Sequence, residues 1–188
     1  MMNSKNKLSA AIVLLLFANI LLLSACKDKE PGETEFDLAV AESDVITIDS
    51  IVDDTTGGNS YKASFSILNN YFRTACEENS VYLDDVISVT LKSAEADFIA
   101  PAGNSFSSFK NIRAYAHDDA LGTDLMASKD DLSGNPVNLT LTTTSNNLQK
   151  YFRLLYTPID VYIGQEDLNF VSADVKFKFV FHVKGKQH

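Results

Sequence analysis

The chain has 188 residues, 45% of them hydrophobic and 22% charged, and a formal net charge of −9. Charge of that sign argues against nucleic acid as a partner and against adhesion to anionic lipid, because both would repel it. Only two cysteines are present, Cys26 and Cys76, so a disulfide-stapled scaffold is excluded and stability has to come from a hydrophobic core.

The first predicted element is a targeting segment. Lys5 and Lys7 form a short positive region, and the run from Leu8 to Leu23 is apolar except for Ser9 and Asn19. It stops at the small residues Ser24 and Ala25 without the flanking anchors of a spanning helix, which is the layout of a secretory signal peptide over residues 1–25. Leu23-Ser24-Ala25-Cys26 resembles the lipobox of bacterial lipoproteins, in which the small residues fit the signal peptidase and the thiol that follows carries lipid. The resemblance implies lipidation at Cys26. Two or three acyl chains, at about 0.8 kcal/mol per buried methylene, give stable anchoring to a membrane. Removing residues 1–25 takes away two lysines and no acid, which moves the charge from −9 to −11.

Residues 26–35 read as the lipidated cysteine and a flexible stalk: Pro31, Gly32 and the glutamates at 30, 33 and 35 are too polar to bury. The charged Lys27-Asp28-Lys29-Glu30 resembles the segment behind the lipidated cysteine of Bacteroidota surface lipoproteins, although there the acidic residues are usually adjacent. Outer-membrane attachment is the expected location. The cell surface is preferred, and the periplasmic face stays open.

Residues 36–188 are expected to form one all-β domain, an antiparallel two-sheet sandwich of about seven or eight strands with one or two short helices. The period of two is clearest where Val175, Phe177, Phe179, Phe181 and Val183 alternate with Asp174, Lys176, Lys178, His182 and Lys184, interrupted on the polar side by Val180. Tyr61 to Ile67 and Val137 to Thr142 alternate in the same way. Weaker runs lie at 45–52, 86–94, 109–116 and 159–163, with a short extra one at 125–128. Residues 69–78 and 145–155 are richer in helix formers, Ser145 is the expected N-cap of the second, and both contain Tyr-Phe-Arg. A pair of aromatic plugs at the open end of the sandwich is the preferred reading of that repeat over a binding motif.

Catalytic motifs are absent: there is no G-x-S-x-G elbow, phosphate loop, H-E-x-x-H or C-x-x-C in the chain. Cys76 has no neighbouring histidine and reads as a small buried hydrophobe. His117-Asp118-Asp119 could begin a metal or base site, and calcium at Asp118 and Asp119 is the one cofactor considered. No acidic pair has calcium-loop spacing, however, and aspartates are common in turns, so no cofactor is expected. The pairs Asp53-Asp54, Asp84-Asp85, Asp118-Asp119 and Asp130-Asp131 are all expected between strands.

If successive strands run up and down, the connections at 53–60, 97–108, 130–135 and 164–173 share the pole opposite the stalk. That pole would gather Asp53, Asp54, Phe106, Asp130 and Asp131 as candidate binding loops. As a whole the chain resembles small Bacteroidota surface lipoproteins, a likeness that speaks to location and fold. The leading expectation is therefore a tethered binding or adhesion module with a glycan or protein ligand. The alternative is a small envelope glycan hydrolase using a carboxylate pair.

Overall fold

Inward-facing apolar side chains on long antiparallel strands hold together one curled sheet whose two halves face each other. The computed structural model describes residues 32–40, 45–48, 51–54, 58–134, 136–165 and 172–188. The expected signal segment, Cys26 and the first part of the stalk lie outside the described residues. In chain order the elements are β1 (Glu33–Val40), β2 (Ile46–Ile48), β3 (Ile51–Asp54), β4 (Gly58–Leu68), α1 (Asn70–Glu78), β5 (Val81–Ala100), a 3-10 turn (Phe106–Ser108), β6 (Phe109–Asp118), β7 (Gly122–Lys129), β8 (Asn138–Thr143), α2 (Gln149–Phe152), β9 (Tyr156–Gln165) and β10 (Ala173–Gln187).

The ten strands follow the order β1-β10-β5-β8-β7-β6-β9-β4-β3, with β2 beside β10, and every pairing is antiparallel. Strand β8 joins the two halves, because Asn138–Leu141 pair with β5 while Thr142 and Thr143 pair with β7. The first sheet is β1, β2, β10, β5 and β8, and the second is β7, β6, β9, β4 and β3. This is the expected all-β sandwich, with more strands than expected. The 45–52 run divides into β2 and β3, and β1 went unrecognised. Strand β1 also shortens the expected stalk, since Glu33, Thr34 and Glu35 are rungs against Lys186, Gly185 and Lys184. The polarity of Glu33, Glu35 and Asp37 does not oppose a strand here, because these alternate residues are exposed and meet basic side chains: Lys184 Nζ lies 2.5 Å from Glu33, and His182 Nδ1 lies 3.0 Å from Asp37.

The core follows the alternation. Val175, Phe177, Phe179, Phe181 and Val183 of β10 are buried, as are Ile159, Val161 and Ile163 of β9. Phe65 of β4 stacks on both Phe177 and Phe179, at 6.2 and 6.1 Å, and so fastens one sheet to the other. Burying each such ring contributes about 1.5–3 kcal/mol.

Strand directions define two ends. The β4–β5, β6–β7 and β8–β9 connections emerge at one, here the helical end, where β1 also begins. The β3–β4, β5–β6, β7–β8 and β9–β10 connections emerge at the other, here the loop end. At the helical end the two Tyr-Phe-Arg segments act as plugs. Phe72 of α1 and Phe152 of α2 meet at 4.9 Å, and Phe152 meets Phe181 at 4.8 Å. Asn69, 1% exposed, ties the plugs together: its amide donates to the carbonyls of Tyr151 and Leu154, and its Oδ1 accepts from Thr157 Oγ1 at 3.0 Å. Ser145 is not the cap of the second helix. That helix is a single turn starting after Leu148, because Thr144 is still tied to β7 through Met126 O and Leu125 O.

Candidate functional site

Of the five residues expected to line a site at the loop end, four belong to strands or turns at that end and one is turned into the core. Asp53 and Asp54 are rungs opposite Asn59 and Gly58, and strand polarity brings their hairpin to the same end as Asp130 and Asp131. Phe106 is a correction: it is fully buried, not a loop-tip aromatic. Ser105 caps the 3-10 turn, Phe106 N–H donates to Pro136 O at 2.9 Å, and the ring is turned inward between Phe98 (5.5 Å) and Phe109 (6.4 Å). Asp131 accepts from Ser133 N–H at 3.0 Å and serves its own turn, a bond that holds its carboxyl below the usual carboxylate range. Asp84 and Asp85 are inside β5, not between strands.

Asp118 and Asp119 lie at the opposite, helical end. The Asp118 carboxylate accepts from Ala120 N–H and Leu121 N–H at 2.9 and 3.1 Å and closes the β6–β7 turn. His117 is held by Thr123 Oγ1 at 2.7 Å, with Asp119 at 3.4 Å. Among the described residues, no group of three His, Cys, Asp or Glu side chains is placed to hold a metal ion. Cys76 is buried, and burial together with neighbouring Glu77 pushes its thiol up to about 11, the reverse of what a nucleophile needs. Asp37, Asp124 and Asp131 are all held below the ordinary carboxylate range, by Lys92, Lys150 and the Ser133 amide respectively. A glycosidic general acid requires the opposite shift.

A better-built surface lies on the outward face of the second sheet. Register places Lys62, Tyr162, Arg113 and Ser128 in one row across β4, β9, β6 and β7, and Ser64, Asp160 and Tyr115 in the next. Tyr115 and Tyr162 are half-buried and meet edge to face at 5.7 Å. Asp160, 7% exposed, accepts from Ser64 Oγ at 2.6 Å and from the Lys62 ammonium at 2.9 Å. Lys62 Nζ also lies 5.5 Å from the centre of the Tyr162 ring. Partial burial works against the charged lysine, but Asp160 and Tyr162 together hold Lys62 above the ordinary lysine value. Arg113 Nη2 reaches Asp130 Oδ1 at 3.0 Å. Next to this row Asn111 lies across Gly164, where a Cβ would come within 2.6 Å of the Asn111 Oδ1.

On rigid strands these pairs fix geometry: each cation is held beside an aromatic or an acid. The result is a face of aromatic surface and fixed polar groups in which Lys62 is matched by Asp160 and Arg113 by Asp130. Sequence reading had Asp130 among its candidates but missed Lys62, Arg113, Tyr115, Asp160 and Tyr162. The available signal was a tyrosine on the polar side of an alternating strand, twice: Tyr115 between the inward Ala114 and Ala116, and Tyr162 between Val161 and Ile163.

No protein-family description matches the chain, and no curated protein does. Solved structures similar to it include a xylan-binding module, CBM15, at 14% identity and a TM-score of 0.35, covering 84% of this chain and 100% of that one. A structure titled Desmodium yellow mottle tymovirus, at 8% identity, has a TM-score of 0.27 over 86% of this chain and 91% of that one. The BFDV capsid protein, at 10% identity, also has a TM-score of 0.27, over 82% and 96% respectively. Likeness at this level leaves function to the residues themselves.

Proposed function

We propose that the protein is a lipid-anchored binding module of the bacterial outer membrane, attached through Cys26, that takes an uncharged glycan on the outward face of its second sheet. The observation that carries the ligand reading is the Lys62–Tyr162–Arg113 row with Tyr115 and Asp160 beside it. Two tyrosines supply apolar faces and hydroxyls, and strands hold them with little ordering left to do on binding. The matched cations and carboxylates suit a ligand rich in hydroxyls and without charge, for which fixed donors and acceptors give orientation.

The test is calorimetric titration of the mature chain with soluble neutral oligosaccharides. Tyr162→Ala is expected to weaken binding about tenfold or more, the scale of losing a central aromatic anchor. Lys178→Ala, on the outward face of the first sheet, is expected to leave affinity unchanged. Equal affinities for Tyr162→Ala and the unaltered protein would remove the site.

A further inference from the structure

We infer that the helical end of the domain rests on the membrane, with zwitterionic phospholipid headgroups as its partner; this builds on the reading of Cys26 as the lipid attachment. Tyr71, Tyr82 and Tyr156 are 67, 66 and 49% exposed, Leu155 is 58% exposed, and all four are at this end. The exposed aliphatics Val45, Ile99 and Val137 lie toward the other. The four sit on neighbouring elements. Asn69 N–H donates to Leu155 O at 3.1 Å and Leu68 pairs with Tyr156, so both adjoin the start of α1, which carries Tyr71. Further along α1, Arg73 and Cys76 share with Tyr82 an open cleft of about 390 Å³.

An exposed tyrosine leaves an apolar ring in water while its hydroxyl favours a hydrated setting, and a headgroup layer satisfies the two together. Covalent reach supplies the position. Strand β1 begins at this end with Glu33 opposite Lys186, and the seven residues from Cys26 to Glu33 span at most about 25 Å when fully extended. The loop end is farther from the anchor by the length of β10, whose 15 residues extend about 50 Å. Arg73 and Arg153 can meet lipid phosphates here, whereas Glu77, Asp84 and a mature charge of −11 oppose an anionic surface. A zwitterionic bilayer fits both signs.

The test couples the mature chain, beginning at Cys26 and carrying no lipid, to a maleimide phospholipid in phosphatidylcholine–phosphatidylethanolamine vesicles. Cys76 is 1% exposed and does not compete for the reagent, and the tether is fixed whether or not cells lipidate Cys26, so failure of that reading is separately visible. Tyrosine emission is expected to be quenched by brominated lipid, and the combined Tyr71→Ser, Tyr82→Ser, Tyr156→Ser variant to lose most of that quenching. Amide exchange in the unaltered protein is expected to slow several-fold over 69–84 and 153–157 and not over 101–108. Adding phosphatidylglycerol should reduce both effects. Quenching that survives in the variant, slowing at the loop end instead, or protection that depends on protein density at constant lipid, which would signal contact between copies, overturns the proposal.

Discussion

Replacing Phe152 with alanine removes the ring that joins the two helical plugs to each other and packs on β10. Phe152 is fully buried, with the Phe72 ring at 4.9 Å on one side and the Phe181 ring at 4.8 Å on the other. Loss of a buried phenylalanine costs about 3–5 kcal/mol, including about 0.5–1.5 kcal/mol for each aromatic pair. The void lies between a short helix held by Asn69 and a central strand, neither of which can close in freely, so a cost of about 4 kcal/mol is expected. Against a net stability of about 5–15 kcal/mol that is a large fraction, and for a domain of this size it lowers the Tm by about 8–16 °C. Urea and thermal unfolding of the variant, followed by circular dichroism, measure it. Tyr71→Ala, in the other Tyr-Phe-Arg segment but 67% exposed, should stay within about 0.5 kcal/mol of the parent. Equal midpoints for the two variants would refute the plug, as would independent effects of Phe72→Ala and Phe152→Ala in a double-mutant cycle.

Gly185→Ala should cost about 1–3 kcal/mol, because the new Cβ would lie 2.5 Å from Val81 Cγ1 at an irregularity in the β10–β5 ladder. Adding Val81→Ala should recover part of the loss, and a melting point unchanged by Gly185→Ala would contradict the close approach. Asp124 is held below the ordinary carboxylate value, first by the Lys150 ammonium at 2.6 Å and then by the Tyr151 hydroxyl at 3.0 Å. Its contribution is therefore fully present above the unfolded value of about 3.9 and is lost as pH falls through the lower folded one. Asp124→Asn should be less stable than the parent at neutral pH, with the difference closing below about pH 4; a gap constant into acid would be inconsistent with this pairing. Cys26→Ser should abolish labelling by a fatty-acid probe in cells, and retained label would rule out the lipobox.

Sequence alone was sufficient for what depends on a single strand seen in isolation. The alternation from Val175 to Lys184 identified β10 and its buried side, because side chains two apart share a face whatever lies beside them. The same logic recovered β4, β6, β9 and the sense of the Tyr-Phe-Arg plugs, whose phenylalanines are buried as a pair. Strand β1 escaped because its outward Glu33, Glu35 and Asp37 look like a solvated stalk until Lys184, His182 and Lys92, distant in the chain, are placed beside them. Phe106 escaped for the opposite reason: a Pro-Ala-Gly-Asn-Ser loop resembles an exposed tip, and only the fold-back onto Pro136 turns its ring into the core. The outward row had the least local signature of all. Ser64 and Asp160 are 96 residues apart in sequence and meet only because β4 and β9 are neighbours in a particular register. Alternation says which side of its own strand a residue takes. Tertiary structure decides whose residues lie next to it, since that choice is made by the packing of the whole core and not by any one segment.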